Sequence, residues 1–229
     1  MISLEKLSPF CFGCEPLGGV DWGDVNIPKI ERAIHRALEF GINFFDTAGA
    51  YGLGLSEERL SRILGENRHN VVIATKGGLS WAKNKTPNKR SFITRDSSPS
   101  AIKNDIDDSL RRLNIDCLPI FFIHWPDSKI SIRATFEALQ NIYDEGKIDA
   151  IGCSNFNAEQ IKQACSVSEV AFIQVPHNLL NDNIDKKINN LCNDYNIKII
   201  VYNVLANDLL SGKYDRSSVF PKNDLSTSQ

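Results

Sequence analysis

Short apolar runs alternate with amphipathic segments of helical period along almost the whole chain, and that alternation restricts the folds open to it. From residue 27 to Gly41, Ile30, Ala33, Ile34, Ala37 and Leu38 recur at helical spacing, with Pro28 near the first turn and Glu31, Arg32 and Arg36 on the other face. Asn43-Phe44-Phe45 then reads as a short buried strand. A second helix is expected from Ser56 to Gly65, with Glu57 and Glu58 in its first turn and Leu60, Ile63 and Leu64 facing inward. The pattern repeats: strand Val71–Ala74, helix from Ser98-Pro99 through Leu113, strand Pro119–Ile123, helix 131–145 ending at Gly146, strand Ile148–Cys153. A helix capped by Asn157, a strand Ala171–Val175, a helix 184–195 and a strand Lys198–Tyr202 follow. With a first strand around Phe10–Cys14, the reading gives about seven strands, most of them followed by a helix.

Short buried strands joined through helices pair in parallel with right-handed crossovers. Doubly wound sheets and barrels both meet that condition, and periodicity alone does not choose between them. No linker rich in Pro, Gly or Ser divides the 229 residues, which suits a single domain over 1–229. Segment 80–98 reads as a basic surface loop, in part a hairpin, and the tail after Tyr214 loses periodicity.

Composition narrows the class of function. A hydrophobic fraction of 42%, a charged fraction of 24% and a net charge of -2 match an ordinary globular enzyme or binding protein. They give no electrostatic ground for a nucleic acid or an anionic membrane as partner. No apolar run approaches bilayer-spanning length and the first residues lack a secretory pattern, so the expected compartment is the cytoplasm, with six reduced cysteines. Cys11 and Cys14 form a C-x-x-C pattern, but within the first strand, where packing is the better reading. The other cysteines lack paired spacing for zinc, and no metal is expected.

Polar residues fall at the carboxyl ends of the strands. Asp46 ends the second, Lys76 follows the third, His124 ends the fourth, and Tyr51 sits in the loop after the second. In a parallel barrel these ends open on one face, where active sites lie. Any one of the four has an ordinary structural reading: a salt bridge, a turn tyrosine, a satisfied histidine. Their conjunction on one rim suits proton donation to a carbonyl oxygen that gains negative charge. Here the Lys76 ammonium is expected to lower the phenol pKa of Tyr51, Asp46 to orient Lys76, and His124 to hold the oxygen. Trp22, Trp81 and Trp125 follow the first, third and fourth strands, and Trp22 and Trp125 are candidate substrate-pocket walls.

Longer phrases around these residues resemble the aldo/keto reductase family. GINFFDTAGAYGLGLSEERLSRIL is similar to its first signature, with Asp46 and Tyr51 at catalytic positions; VVIATKGG and FFIHWPD resemble the segments that supply the catalytic lysine and histidine, Lys76 and His124. GKIDAIGCSNFN, FIQVPHNLL and VYNVLANDLLSGKY resemble the segments that hold the nicotinamide. The resemblance implies that Ser154, Asn155 and Gln174 contact its carboxamide, that Tyr202 stacks on its ring, and that Asn203 and Leu205 lie along the cofactor. It runs from about Ser8 onward and implies a (β/α)8 TIM-barrel type of α/β fold, a nicotinamide cofactor with NADPH ahead of NADH, and a small carbonyl or alcohol as substrate. It also implies an incomplete barrel of about seven strands, because the family continues into an eighth strand and its helix. Open edges would then invite self-association. A catalytically silent barrel that acts as a binding or regulatory subunit is the alternative. The absence of GxGxxG after a strand argues against a Rossmann site, and His177 on the same rim reads first as an ordinary structural residue, with a minor role near the cofactor as the alternative.

Overall fold

The computed structural model describes residues 6–19, 25–81, 93–215 and 217–218. Seven parallel strands form one sheet in the order β1 (Phe12–Gly13), β2 (Phe44–Asp46), β3 (Val72–Gly77), β6 (Ile120–Ile123), β7 (Ile151–Ser154), β8 (Val170–Pro176) and β9 (Lys198–Tyr202). A small antiparallel ladder, β4 (Leu79–Ser80) with β5 (Thr94–Arg95), is inserted after β3. The helices are α1 (Ile27–Glu39), α2 (Leu55–Leu64), α3 (Pro99–Leu113), α4 (Ile132–Asp144), α5 (Ala158–Cys165) and α6 (Lys186–Asp194). Strand order follows chain order without the reversal that marks a doubly wound sheet, so the sheet curls as an incomplete (β/α)8 barrel. Among the described residues, β1 and β9 each pair on one side only.

Side-chain sequence sets the helix starts. Asn26, Ser98, Ser131, Asn157 and Asp185 each accept a hydrogen bond from a first-turn backbone N–H, and Asn157 closes a capping box with Gln160. Caps of this kind stabilise by about 1 kcal/mol each. Ser56, expected at the start of a helix, lies inside α2; its hydroxyl instead donates to the Cys14 carbonyl at 2.7 Å. The fourth strand starts at Ile120 rather than Pro119, because proline has no N–H to give to a ladder. Ile148 makes only an isolated bridge to Leu118, and the fifth strand proper begins at Ile151. Lys76 lies within β3 rather than after it.

Strand parity builds two apolar layers. Phe45, Ile73, Phe121, Ile123, Ile151, Cys153 and Ile173 face the helices and pack with Ile34, Leu60, Ile102, Ile106, Phe136, Leu139 and Ile161. Alternate residues Phe44, Val72, Ala74, Ile120, Phe122 and Phe172 form a second cluster on the concave face. Burial on both faces explains why the strands read as continuous apolar runs rather than alternating ones. Each large side chain so buried stabilises the fold by roughly 1.5–3 kcal/mol. Gly152 is dictated by this layer, since a Cβ there would stand 2.4 Å from the Phe122 ring.

Candidate active site

The concave layer ends, toward the carboxyl ends of the strands, in polar residues of the same parity. Asp46 lies two residues beyond Phe44, Lys76 two beyond Ala74, His124 two beyond Phe122, Gln174 two beyond Phe172 and Tyr202 two beyond the half-buried Ile200. Ser154 stands likewise two beyond Gly152. A period of two therefore turns all six toward the concave side, above the apolar floor. There they line a cleft of about 980 Å³ together with Tyr51, Trp125, Asn155, Asn203 and Leu205. Trp22, the other proposed pocket wall, lies outside the described residues.

Lys76 is 3% exposed, and its ammonium donates to Asp46 Oδ1, to the Thr47 carbonyl at 2.9 Å and to the Tyr51 hydroxyl at 3.3 Å. Gln174 Nε2 donates to the other Asp46 oxygen at 2.6 Å. Burial alone would lower the Lys76 pKa, but the Asp46 carboxylate overrides it and holds the ammonium above its usual range. Tyr51 departs from expectation. Burial pushes its phenol upward and outweighs the Lys76 ammonium, which acts in the expected direction with a smaller effect. Desolvation disfavours a phenolate more than one neighbouring cation stabilises it, since that cation is already shared with Asp46. The Tyr51 and His124 rings meet edge to face, with centroids 5.7 Å apart.

Close backbone contact fixes the Tyr51 loop. Gly52 adopts φ +62, and a Cβ there would stand 2.2 Å from the Gly18 carbonyl oxygen, so two glycines let the loops after β1 and β2 touch. Behind the loop, Glu57 of α2 is fully buried, accepting from Thr75 Oγ1 at 2.6 Å and from Arg112 Nη1 at 2.8 Å. Sequence reading gave Glu57 to the helix dipole. The signal for its inward position is its spacing, three and seven residues before Leu60 and Leu64.

On the other wall, Asn155 has φ +63, a left-handed conformation that asparagine tolerates. Its Nδ2 donates to the His124 carbonyl at 2.9 Å and to Ser154 Oγ at 3.1 Å, while its Oδ1 accepts from the Tyr202 hydroxyl at 2.7 Å. Asn203, at φ +56, accepts from the Asn207 backbone through Oδ1 at 2.9 Å, and its carbonyl accepts from Asn178 at 3.1 Å. Asn178, Asn207 and Arg95 were not singled out from sequence. Arg95 stacks over Trp125 at 5.2 Å and donates to the Pro126 carbonyl at 3.0 Å. His177 is half-buried and does not line the cleft; its backbone N–H donates to the Tyr202 carbonyl at 3.1 Å.

The six cysteines are free thiols. Burial pushes the Cys11 and Cys14 thiols up, the reverse of what a C-x-x-C redox pair needs. Among the described residues, no group of three or more His, Cys, Asp or Glu side chains is placed to hold a metal ion, and no helix is long and apolar enough to cross a membrane.

Fold and cleft together define a barrel protein of the (β/α)8 type whose carboxyl-end rim carries an Asp–Lys–Tyr–His cluster. The aldo/keto reductase family model matches residues 9–228, and the chain belongs to that family. It is 34% identical over 215 residues to the aldo-keto reductase YhdN of Bacillus subtilis (strain 168), covering 93% of this chain and 63% of the relative. It is 32% identical over 212 residues to the NADH-specific methylglyoxal reductase of Escherichia coli (strain K12), covering 88% and 64%. The chain thus spans a little under two thirds of these relatives' lengths. The solved glycerol dehydrogenase AKR11B4 from Gluconobacter oxydans superposes with a TM-score of 0.86 at 39% identity, over 96% of this chain and 66% of that one.

Proposed function

We propose that the chain reduces an aldehyde or ketone to the alcohol, or runs the reverse reaction, with a nicotinamide cofactor and with Tyr51 as proton donor. The observation that carries this reading is the single Lys76 ammonium bonded to both Asp46 and Tyr51 beside His124. Family membership supports the reaction class, and the names of the methylglyoxal reductase and glycerol dehydrogenase relatives support a small carbonyl or alcohol as substrate.

The residues on the Asn155 wall fit a nicotinamide. Tyr202 offers a flat face in the cleft, and Ser154, Asn155 and Gln174 bring hydroxyl and amide groups to the same wall. Ser154, Asn155 and Gln174 would hold the carboxamide and Tyr202 the ring, with Asn203 and Leu205 alongside. Because Asn203 Oδ1 already serves the Asn207 backbone, its Nδ2 is the group for a phosphate or ribose oxygen. When bound there, a reduced nicotinamide would supply the hydride. His124 orients the substrate oxygen and Tyr51 passes its proton to that oxygen as negative charge develops. The nearby Lys76 ammonium then stabilises the phenolate left on Tyr51, and Asp46 keeps Lys76 charged. Trp125 gives the cleft an aromatic wall for substrate.

We read the cofactor as NADPH rather than NADH, residues 1–229 as one domain acting in the cytoplasm, and self-association as the means of covering β1 and β9. The test is NADPH consumption with 4-nitrobenzaldehyde by the purified chain, lost in Tyr51→Phe, with NADH run in parallel. Folded protein that neither turns over nor changes fluorescence with either cofactor would instead favour a silent barrel that binds a partner.

A further inference from the structure

A buried ionic group outside the cleft ties together the two elements that carry Lys76 and Tyr51. Thr75 precedes Lys76 on β3, and its hydroxyl donates to Glu57 Oε1 at 2.6 Å. Glu57 sits in the first turn of α2, directly after the loop that presents Tyr51, and its other oxygen accepts from Arg112 Nη1 at 2.8 Å. Arg112 reaches in from α3, pairs also with Asp108 at 3.3 Å, and lies with Trp81 across its guanidinium at 6.0 Å. It occupies the space directly beneath the Tyr51 loop. A Cβ on Gly54, whose φ is +101, would stand 2.6 Å from Arg112 Nε, and one on Gly49 would stand 3.4 Å from Nη1. The Gly49 N–H in turn donates to the Lys76 carbonyl at 3.3 Å.

We propose that Glu57, Arg112 and Thr75 act as positioning residues that set the Lys76–Tyr51 separation and so tune proton donation. The proposal rests on the carbonyl-reductase reading above. A buried carboxylate and guanidinium are costly to desolvate, and an apolar pair of similar volume would pack as well or better, so stability alone is a weak reason for them. What they add is direction: a carboxylate that accepts from Thr75 with one oxygen and from Arg112 with the other ties α2 to β3 and α3 at one register, and a planar guanidinium fixes the loop height. A proton donor that must sit within hydrogen-bond reach of both its lysine and the substrate oxygen is sensitive to sub-ångström displacement of either element.

Two variants separate this role from folding. Thr75→Val removes only the tie to β3 and leaves the ion pair intact. Glu57→Gln combined with Arg112→Met removes both charges of the pair together, so that neither partner is left buried without the other. With 4-nitrobenzaldehyde and NADPH, each is expected to lower kcat by roughly tenfold or more. KM and the NADPH Kd should stay within about twofold of wild type, the pattern of a group that acts only in the transition state. Amide hydrogen exchange of residues 47–54 in the cofactor-free protein should accelerate relative to the rest of the chain. Unchanged kcat with unchanged loop exchange in both variants overturns the proposal, as does a loss expressed equally in kcat and NADPH affinity. If wild type itself shows no turnover, the reductase reading fails, and the exchange of residues 47–54 alone decides whether the group positions the loop.

Discussion

Gln174 donates through Nε2 to Asp46 Oδ2 at 2.6 Å, although 128 residues separate them in the chain. The wall assigned to the nicotinamide and the wall assigned to proton transfer therefore share one carboxylate. Asp46 serves Lys76 with one oxygen and Gln174 with the other, so a change at Asp46 should be felt on both sides.

Asp46→Asn should accordingly impair more than one property. It leaves the Lys76 ammonium buried without its counter-ion, which costs about 3–5 kcal/mol where a buried pair is broken from one side. Urea unfolding at neutral pH should show that loss, the Lys76 pKa should fall as burial wins, and aldehyde turnover should drop by two orders of magnitude or more, roughly.

The pH profile for reduction follows from the direction of the Tyr51 shift. In the proposed reaction the reducing direction needs the protonated phenol, and burial holds its pKa above the ordinary value of about 10. The rate should stay level through neutral pH and fall only in strongly alkaline buffer. Lys76→Met removes the influence that opposes burial, so the alkaline limb should move higher while kcat falls. A limb that descends between pH 7 and 8 in wild type would contradict this assignment.

Asp105 gives a separate stability prediction. Burial pushes its carboxyl up to about 7, against the backbone N–H of Gly78, which favours the charged form. With the folded pKa above the unfolded one, the folded state binds the extra proton between about pH 4 and 7, and stability is lost as pH rises through that window. Asp105→Asn keeps an acceptor for Gly78 and carries no charge. Its urea midpoint should match wild type near pH 4 and exceed it at pH 8, a gain in unfolding free energy of a few kcal/mol, roughly.

Gly52→Ala places a Cβ against the Gly18 carbonyl at a backbone angle that alanine avoids. A cost of roughly 1–3 kcal/mol is expected, with a fall in Tm. Because Tyr51 is the adjacent residue, kcat should fall further than the stability loss explains, measured at a temperature where the variant remains folded.

Tyr202→Phe keeps the ring and removes the 2.7 Å bond to Asn155; Tyr202→Ala removes both. NADPH titration by protein fluorescence should show a small rise in Kd for the first. The second should rise by about 2- to 10-fold beyond that, the range of an aromatic stacking contact.

The sequence placed the strands and helices to within a few residues at their ends, because apolar period and capping residues act locally. It also marked Asp46, Tyr51, Lys76, His124, Ser154, Asn155, Gln174 and Tyr202, because strand ends and family phrases can be read along the chain. The family phrases also implied the barrel, which apolar period alone does not separate from a doubly wound sheet, and strand order without reversal bears it out. Packing decided two things. Packing around Tyr51 reversed the expected direction of its pKa, since desolvation depends on every neighbour and not on Lys76 alone. And the fold brought Glu57 of α2, Thr75 of β3 and Arg112 of α3 into one buried group, whose bonds span 18 and 55 residues. Local pattern carries no information about such contacts, because they form only when separate elements pack at one depth behind the cleft.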